Sequence, residues 1–419
     1  MIHIIHFSTS DNLGAGSAAS RFHKNLIVNG VTSQLFVADK RTNDEYTIAI
    51  PSGKSLIHKV LNKVDSFFNF FNSHYYFFEK NRNSLSAFKK IDQHLEKKPD
   101  IIVLHWITGF VNLDVIHLLQ KKYSCKVYWY LMDMAPMTGG CHYAWDCNGY
   151  QNSCNNCPAV SFPYATLPSK TLLYKKTIVK QMDIELLSAS SWLNKQLNTS
   201  TIFKDSKIHS LMLGIDESIF SPLSSQNILQ YKEKYKLSKN KKVIFFGATD
   251  PEEYRKGFTY LLEALKTLLM DSTFDRSTIT LLTAGRAIDQ NLFNNFSVEH
   301  VHLGYLSGDI ALASAYQVSD IFISPSIEDS GPMMINESMM CGTPVVAFNM
   351  GVASDLIKNK KTGYLARLKD SKDLAYGIKE LLSLSDTELN IVKNNCRTIA
   401  IEKTSEKIQI HNFFKLQED

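Results

Sequence analysis

No stretch of this 419-residue chain reaches the roughly 18 to 20 consecutive apolar residues that a bilayer-spanning helix needs. No leader pattern opens it either, because Met1-Ile-His-Ile-Ile-His-Phe7 is a short strand running directly into a glycine turn. A cytoplasmic location is therefore expected. Net charge is scarce at +5, which gives no reason to expect a nucleic-acid partner. Seven cysteines in a reducing compartment argue for metal ligands or plain packing rather than disulfides. What remains, 44% hydrophobic and 21% charged residues, is the composition of a globular protein. The length allows two or three domains.

The most informative stretch runs from Pro325 to Phe348. The apolar run Asp320-Ile-Phe-Ile-Ser324 is too short and too β-branched for a helix and reads as a strand. It leads into the acids Glu328 and Asp329, then the turn Ser330-Gly331-Pro332, with Pro332 set for the first helical position. That helix carries Met333, Met334 and Glu337, closes near Gly342, and hands over to a strand from Pro344 to Phe348. Strand, acidic loop, helix and strand is the βαβ pattern of a parallel sheet, whose ligands sit beyond the carboxyl ends of the strands. Two acids, Asp329-x7-Glu337, flank a helix N-terminus whose free N–H groups favour phosphate. A phosphate seat between acids suits a nucleotide sugar, while a structural turn in an ordinary α/β protein is the plainer alternative.

This segment resembles the donor-binding signature of retaining glycosyltransferases of family four, in which Glu-x7-Glu is followed by Gly-x-Pro-Val-Val. The resemblance puts Asp329 near the sugar and Glu337 on the ribose hydroxyls, with Gly331, Met333 and Met334 among the donor-binding residues. Asp329 is one methylene shorter than the usual Glu, and Glu328 beside it is a candidate to compensate.

The chain divides near residue 200. Strand-like runs at Ile2–Phe7, Ser33–Ala38, Ile101–Leu104 and Lys126–Leu131 alternate with helix-length segments. A second alternation starts at Lys242–Phe246 and continues through Thr278–Leu282 to the signature. The fold class is α/β, and the resemblance implies GT-B, two Rossmann-like domains facing across a cleft. Residues 1–200 would be the acceptor side, 201–395 the nucleotide-sugar side and 396–419 a closing helix and tail. Leu213-Gly-Ile-Asp216, followed by Phe220 and Pro222, resembles the family's interdomain motif, with Leu213 in place of Asn.

Lys256-Gly257 matches a family motif whose cation neutralises the donor diphosphate and steadies the leaving nucleotide. Ala248 stands where the family's partner Arg is usual, and Arg255 is the candidate substitute. Gly285 and Tyr305 end later strands and resemble loops facing the nucleobase. In the first half, Gly14 and Gly16 allow close backbone approach, which the family uses at the donor diphosphate. His105, directly after a strand, resembles a family His that touches the donor sugar; a satisfied core histidine is the plain alternative. Asp133 occupies the acid's place in a His-Asp motif whose His is here Met132.

Residues 138–158 hold Cys141, Cys147, Cys154 and Cys157, spaced Cys-x5-Cys-x6-Cys-x2-Cys. The Cys-x2-Cys knuckle and four thiolates suit one structural Zn²⁺ with no open catalytic position, and free thiols or a disulfide pair are the alternative. Thr-Gly-Gly-Cys-His-Tyr through Cys-Pro also resembles a loop found in a subset of the family. Residues 54–98 are aromatic and basic, with a net +5 that equals the whole chain's. Such a segment suits anionic lipid or a polyprenyl diphosphate acceptor, although packing on the sheet or on a partner chain would also account for it.

The expected function is transfer of a sugar from a UDP- or GDP-sugar to a hydroxyl of a lipid-linked bacterial glycan, such as O-antigen, capsule or exopolysaccharide. The family implies no catalytic metal and no protein nucleophile. The rivals are a GT-B sugar-nucleotide epimerase and a non-catalytic GT-B scaffold.

Overall fold

A computed structural model of the chain describes residues 2–12, 14–50, 84–160, 165–250, 253–286, 291–294 and 296–418. The aromatic, basic segment therefore lies largely outside the described residues, which resume with a helix at Ser84–Gln93. The chain forms two compact units, Met1–Leu211 and Met212–Asp419.

Among the described residues the first unit has seven parallel strands: β1 (His3–Ser10), β2 (Thr32–Asp39), β3 (Thr47–Ala49), β4 (Ile101–Leu104), β5 (Lys126–Leu131), β6 (Ile184–Ser188) and β7 (Ile208–Ser210). Their order is β3-β2-β1-β4-β5-β6-β7. Strand β4 is Ile-Ile-Val-Leu and buried throughout, as a central parallel strand with both faces covered must be. The covering helices are stopped by local chemistry. In helix Leu113–Tyr123, for example, the Asn112 side chain accepts the Val115 N–H at the start and Ser124 turns left-handed at the end.

The second unit repeats the plan with β8 (Lys242–Gly247), β9 (Ile279–Ala284), β10 (Glu299–His302), β11 (Ile321–Ser324), β12 (Val345–Phe348) and β13 (Gly363–Ala366). Their order is β10-β9-β8-β11-β12-β13, again all parallel. The closing helices Asp386–Thr404 and Glu406–Lys415 belong to this unit, tied back by a bridge between Ile215 and Ser405.

In both sheets the chain reverses direction of travel beside the first strand, between β1 and β4 and between β8 and β11. At such a switch point the crossover helices leave on opposite faces, opening a crevice at the carboxyl ends of the strands. Both candidate clusters below sit there.

Candidate functional site

At the second unit's switch point, strand β11 ends in Ser324 and the chain turns through buried Glu328 and Asp329. Arg255 Nη1 and Lys256 Nζ both donate to the same Oδ2 of Asp329, at 2.7 and 2.8 Å. The Gly331 N–H points at the other oxygen at 3.4 Å. Burial alone raises the Asp329 carboxyl, but the charges of Lys256 and Arg255 outweigh it and hold the group well below the usual range. Asp329 is therefore an anion inside the protein, kept there by two cations. Arg255 thus stands beside Lys256 at the same acid.

Gly257 explains why a Gly must follow that lysine. Its φ is +69°, and a Cβ there would lie 1.8 Å from the Pro325 carbonyl oxygen. The cation-bearing turn crosses the end of β11 backbone to backbone, which only glycine permits.

The helix Met333–Met340 follows, with Pro332 as its N-cap rather than its first helical residue, and no side chain caps it. Met334 lies against Gly247 at the end of β8: a Cβ on that glycine would meet the Met334 Cε at 3.0 Å. Glu337 is buried in the same helix, and the Tyr316 hydroxyl donates to its Oε2 at 3.2 Å. The Tyr316 ring is wedged edge-on against Phe245 and Phe322 of the central strands. Tyr316 is a residue that sequence reading missed; its spacing of 21 from Glu337 carries no local signal. Gly285 and Tyr305 come together at the ends of β9 and β10, where the Gly285 N–H donates to the Gly304 carbonyl and Arg286 stacks 4.7 Å over the Tyr305 ring.

In the first unit, Gly14 opens the helix Gly14–Val28 and Gly16 presses on the end of β1, where a Cβ would lie 2.7 Å from the Ser10 carbonyl oxygen. His105, just past β4, is buried and hydrogen-bonded through Nε2 to His6 Nδ1 at 3.0 Å. Burial, with the charge of His23 adding to it, lowers His105 to about 3. Asp133, just past β5, pairs with His142 Nδ1 at 2.5 Å. His142 comes from the cysteine loop.

Cys141, Cys147, Cys154 and Cys157 line one cavity of about 20 Å³, room for one water-sized species. The Gly149 N–H points at Cys147 Sγ at 3.4 Å, and Cys157 is lowered by accepting a hydrogen bond from the Cys141 thiol. The donor set suits zinc, yet no group of three or more His, Cys, Asp or Glu side chains among the described residues is arranged to hold a metal ion. No helix among the described residues is long and apolar enough to cross a membrane.

Two doubly wound parallel sheets, the second with a paired acid and cations at its switch point, define the GT-B fold. Residues 227–398 match the family described as Glycosyl transferases group 1, so the second unit carries a glycosyltransferase group 1 domain. The chain is 26% identical over 316 residues to an uncharacterized glycosyltransferase of Methanocaldococcus jannaschii, covering 74% of this chain and 72% of that protein. It is 26% identical over 199 residues to the Escherichia coli UDP-Gal:alpha-D-GlcNAc-diphosphoundecaprenol alpha-1,3-galactosyltransferase, covering 46% of this chain and 49% of the relative. It therefore spans about half the length of that relative. Among solved structures, a glycosyltransferase from Rickettsia africae ESF-5 shares the fold at TM-score 0.67 and 18% identity, over 99% of this chain and 97% of that one.

Proposed function

We propose that this protein is a retaining glycosyltransferase that moves a sugar from a UDP- or GDP-sugar to a hydroxyl of a polyprenyl-diphosphate-linked glycan. The observation that carries this reading is the convergence of Arg255 and Lys256 on buried Asp329, beside the uncapped start of helix Met333–Met340. Two cations and a helix N-terminus suit a diphosphate whose charge grows as it leaves. Asp329 and Glu328 would face the sugar, and Glu337, steadied by Tyr316, the ribose hydroxyls. The bond from the anomeric carbon to the diphosphate oxygen breaks with its electron pair leaving on the phosphate. The acceptor oxygen bonds to that carbon on the same face, and its proton passes to the departing phosphate. The E. coli relative's lipid-linked acceptor supports the acceptor class.

The test is thermal stabilisation by UDP, GDP, ADP and their sugars, repeated on Glu337→Ala. One nucleotide should stabilise the wild type, with the shift lost in the variant. Stabilisation by none would sink the transferase reading and favour a scaffold.

For the cysteine loop, our proposal is one structural zinc ion on Cys141, Cys147, Cys154 and Cys157, which line one shared cavity. Metal analysis of purified protein should find one zinc per chain, lost in Cys154→Ser/Cys157→Ser. Protein free of metal, with four thiols titrating, would refute it.

A further inference from the structure

His105 is held from three sides. Its backbone N–H donates to the Phe7 carbonyl at 2.9 Å, and its own carbonyl accepts the Trp129 indole N–H at 3.2 Å. Its ring meets His6 through Nε2, stacked with centroids 5.3 Å apart. Phe22 packs edge-on against His6, and Tyr130 tilts over His105 at 5.9 Å. Both rings are fully sheltered, and the outer atoms, His6 Nε2 and His105 Nδ1, have no partner. Burial lowers both histidines, so neither carries a charge near neutrality.

Two neutral imidazoles sharing one hydrogen bond have only two proton arrangements. If His6 Nδ1 donates, His105 must carry its proton on Nδ1 and His6 Nε2 is bare. If His105 Nε2 donates, His105 Nδ1 is the bare lone pair and His6 carries its proton on Nε2. The proton on His105 Nδ1, the ring atom left without a partner, is thus coupled to the proton on His6, a residue on another strand. Stacking against His6 also fixes the ring's plane.

We propose that His6 is a positioning residue that sets the orientation and tautomer of His105, and thereby whether His105 offers a donor or an acceptor to the donor sugar. This rests on the transferase reading and on the family resemblance, which implies that His105 touches the donor sugar. In the same buried cluster, His23 packs edge-on against His6, is engaged by Ser33 at 2.7 Å and lies 3.4 Å from Asp44, so it is not a competing partner for His105.

The test uses the full chain, ¹⁵N-labelled at histidine, as wild type, His6→Phe and His6→Asn. Ring ¹⁵N shifts report the tautomer of His105, assigned with His105→Phe. Turnover is followed as nucleoside diphosphate released from UDP-glucose, UDP-galactose, GDP-mannose and ADP-glucose. Wild type should show one His105 tautomer. His6→Phe should show a mixture and a tenfold or greater loss in kcat, with KM and nucleotide binding within twofold. His6→Asn, whose amide reaches the place of Nδ1, should restore a single tautomer and most of the rate. An unchanged His105 spectrum in His6→Phe, or full turnover with a mixed tautomer, overturns the proposal. Should His6→Phe fail to fold, His6→Asn decides by the same two readouts, since a mixed tautomer there would count against His6. A wild type that binds no nucleotide and turns over no donor fails the transferase reading alone, because the tautomer measurement still reports on the pair.

Discussion

The two units share a strand order and differ in what they place at the switch point. The first puts neutral aromatic rings there: His6 against His105, enclosed by Phe22 and Tyr130. The second puts full charges there: Asp329 under Arg255 and Lys256. Topology decides where a crevice opens, because crossover helices part at the same place in both sheets. Residue choice decides the chemistry. A neutral pair depends on shape and on where single protons sit. A charged cluster survives burial only while its partners remain, since an unpaired buried carboxylate is far costlier than an unpaired imidazole.

The sharpest way to break this contrast is to remove the second unit's cations. Arg255→Ala/Lys256→Ala leaves Asp329 buried without its two cations, and should cost about 3–5 kcal/mol in urea denaturation. Adding Asp329→Asn should recover most of that. If the double variant unfolds like the wild type, the cluster is not held by charge.

Acid should separate the units next. His6 and His105 have folded pKa values below their unfolded ones, so the native state binds fewer protons than the unfolded chain once pH drops below about 6.5. Stability then falls by about 1.4 kcal/mol per pH unit for each histidine, continuing for His105 toward about 3. Asp329 has the opposite sign: its folded pKa is depressed, so its contribution is complete above about 4 and is lost only as pH falls below that. Midpoints measured from pH 7 to 4 should flatten in His105→Phe, while Asp329→Asn should leave the slope over that range unchanged.

Gly257→Ala tests the backbone crossing that brings the cations to β11. A Cβ at φ +69°, pressed on the Pro325 carbonyl, should cost about 1–3 kcal/mol by strain and displacement. Nucleotide binding should weaken with it. Tyr316→Phe is the mildest change, removing one hydrogen bond to Glu337 for about 1 kcal/mol. A Tyr316→Phe protein that binds nucleotide as tightly as wild type would show that Glu337 needs no steadying.

Much of this was legible from local pattern. Buried runs such as Ile101–Leu104 and Val345–Phe348 announce parallel strands because both faces must be apolar. Asp329 and Glu337 could be picked out from their spacing around a helix start, and Lys256 from the family motif that it resembles. Pro332 was misplaced by one residue, since φ near −63° suits both an N-cap and a first helical turn and only ψ, at 117°, tells them apart. His142 could have been suspected as the partner of Asp133, nine residues away, but the loop path that joins them is not periodic and leaves no pattern to read.

By itself, the sequence determined the alternation of strands and helices, the spacing of the acids around a helix start, and the cysteine spacing, because each is written within a few turns of chain. Only the tertiary structure decided the partnerships: Lys256 with Asp329 across 73 residues and His6 with His105 across 99. A parallel sheet sets side by side the ends of strands separated by whole crossovers. Which side chains meet there depends on register and helix packing, and no local stretch of sequence records either.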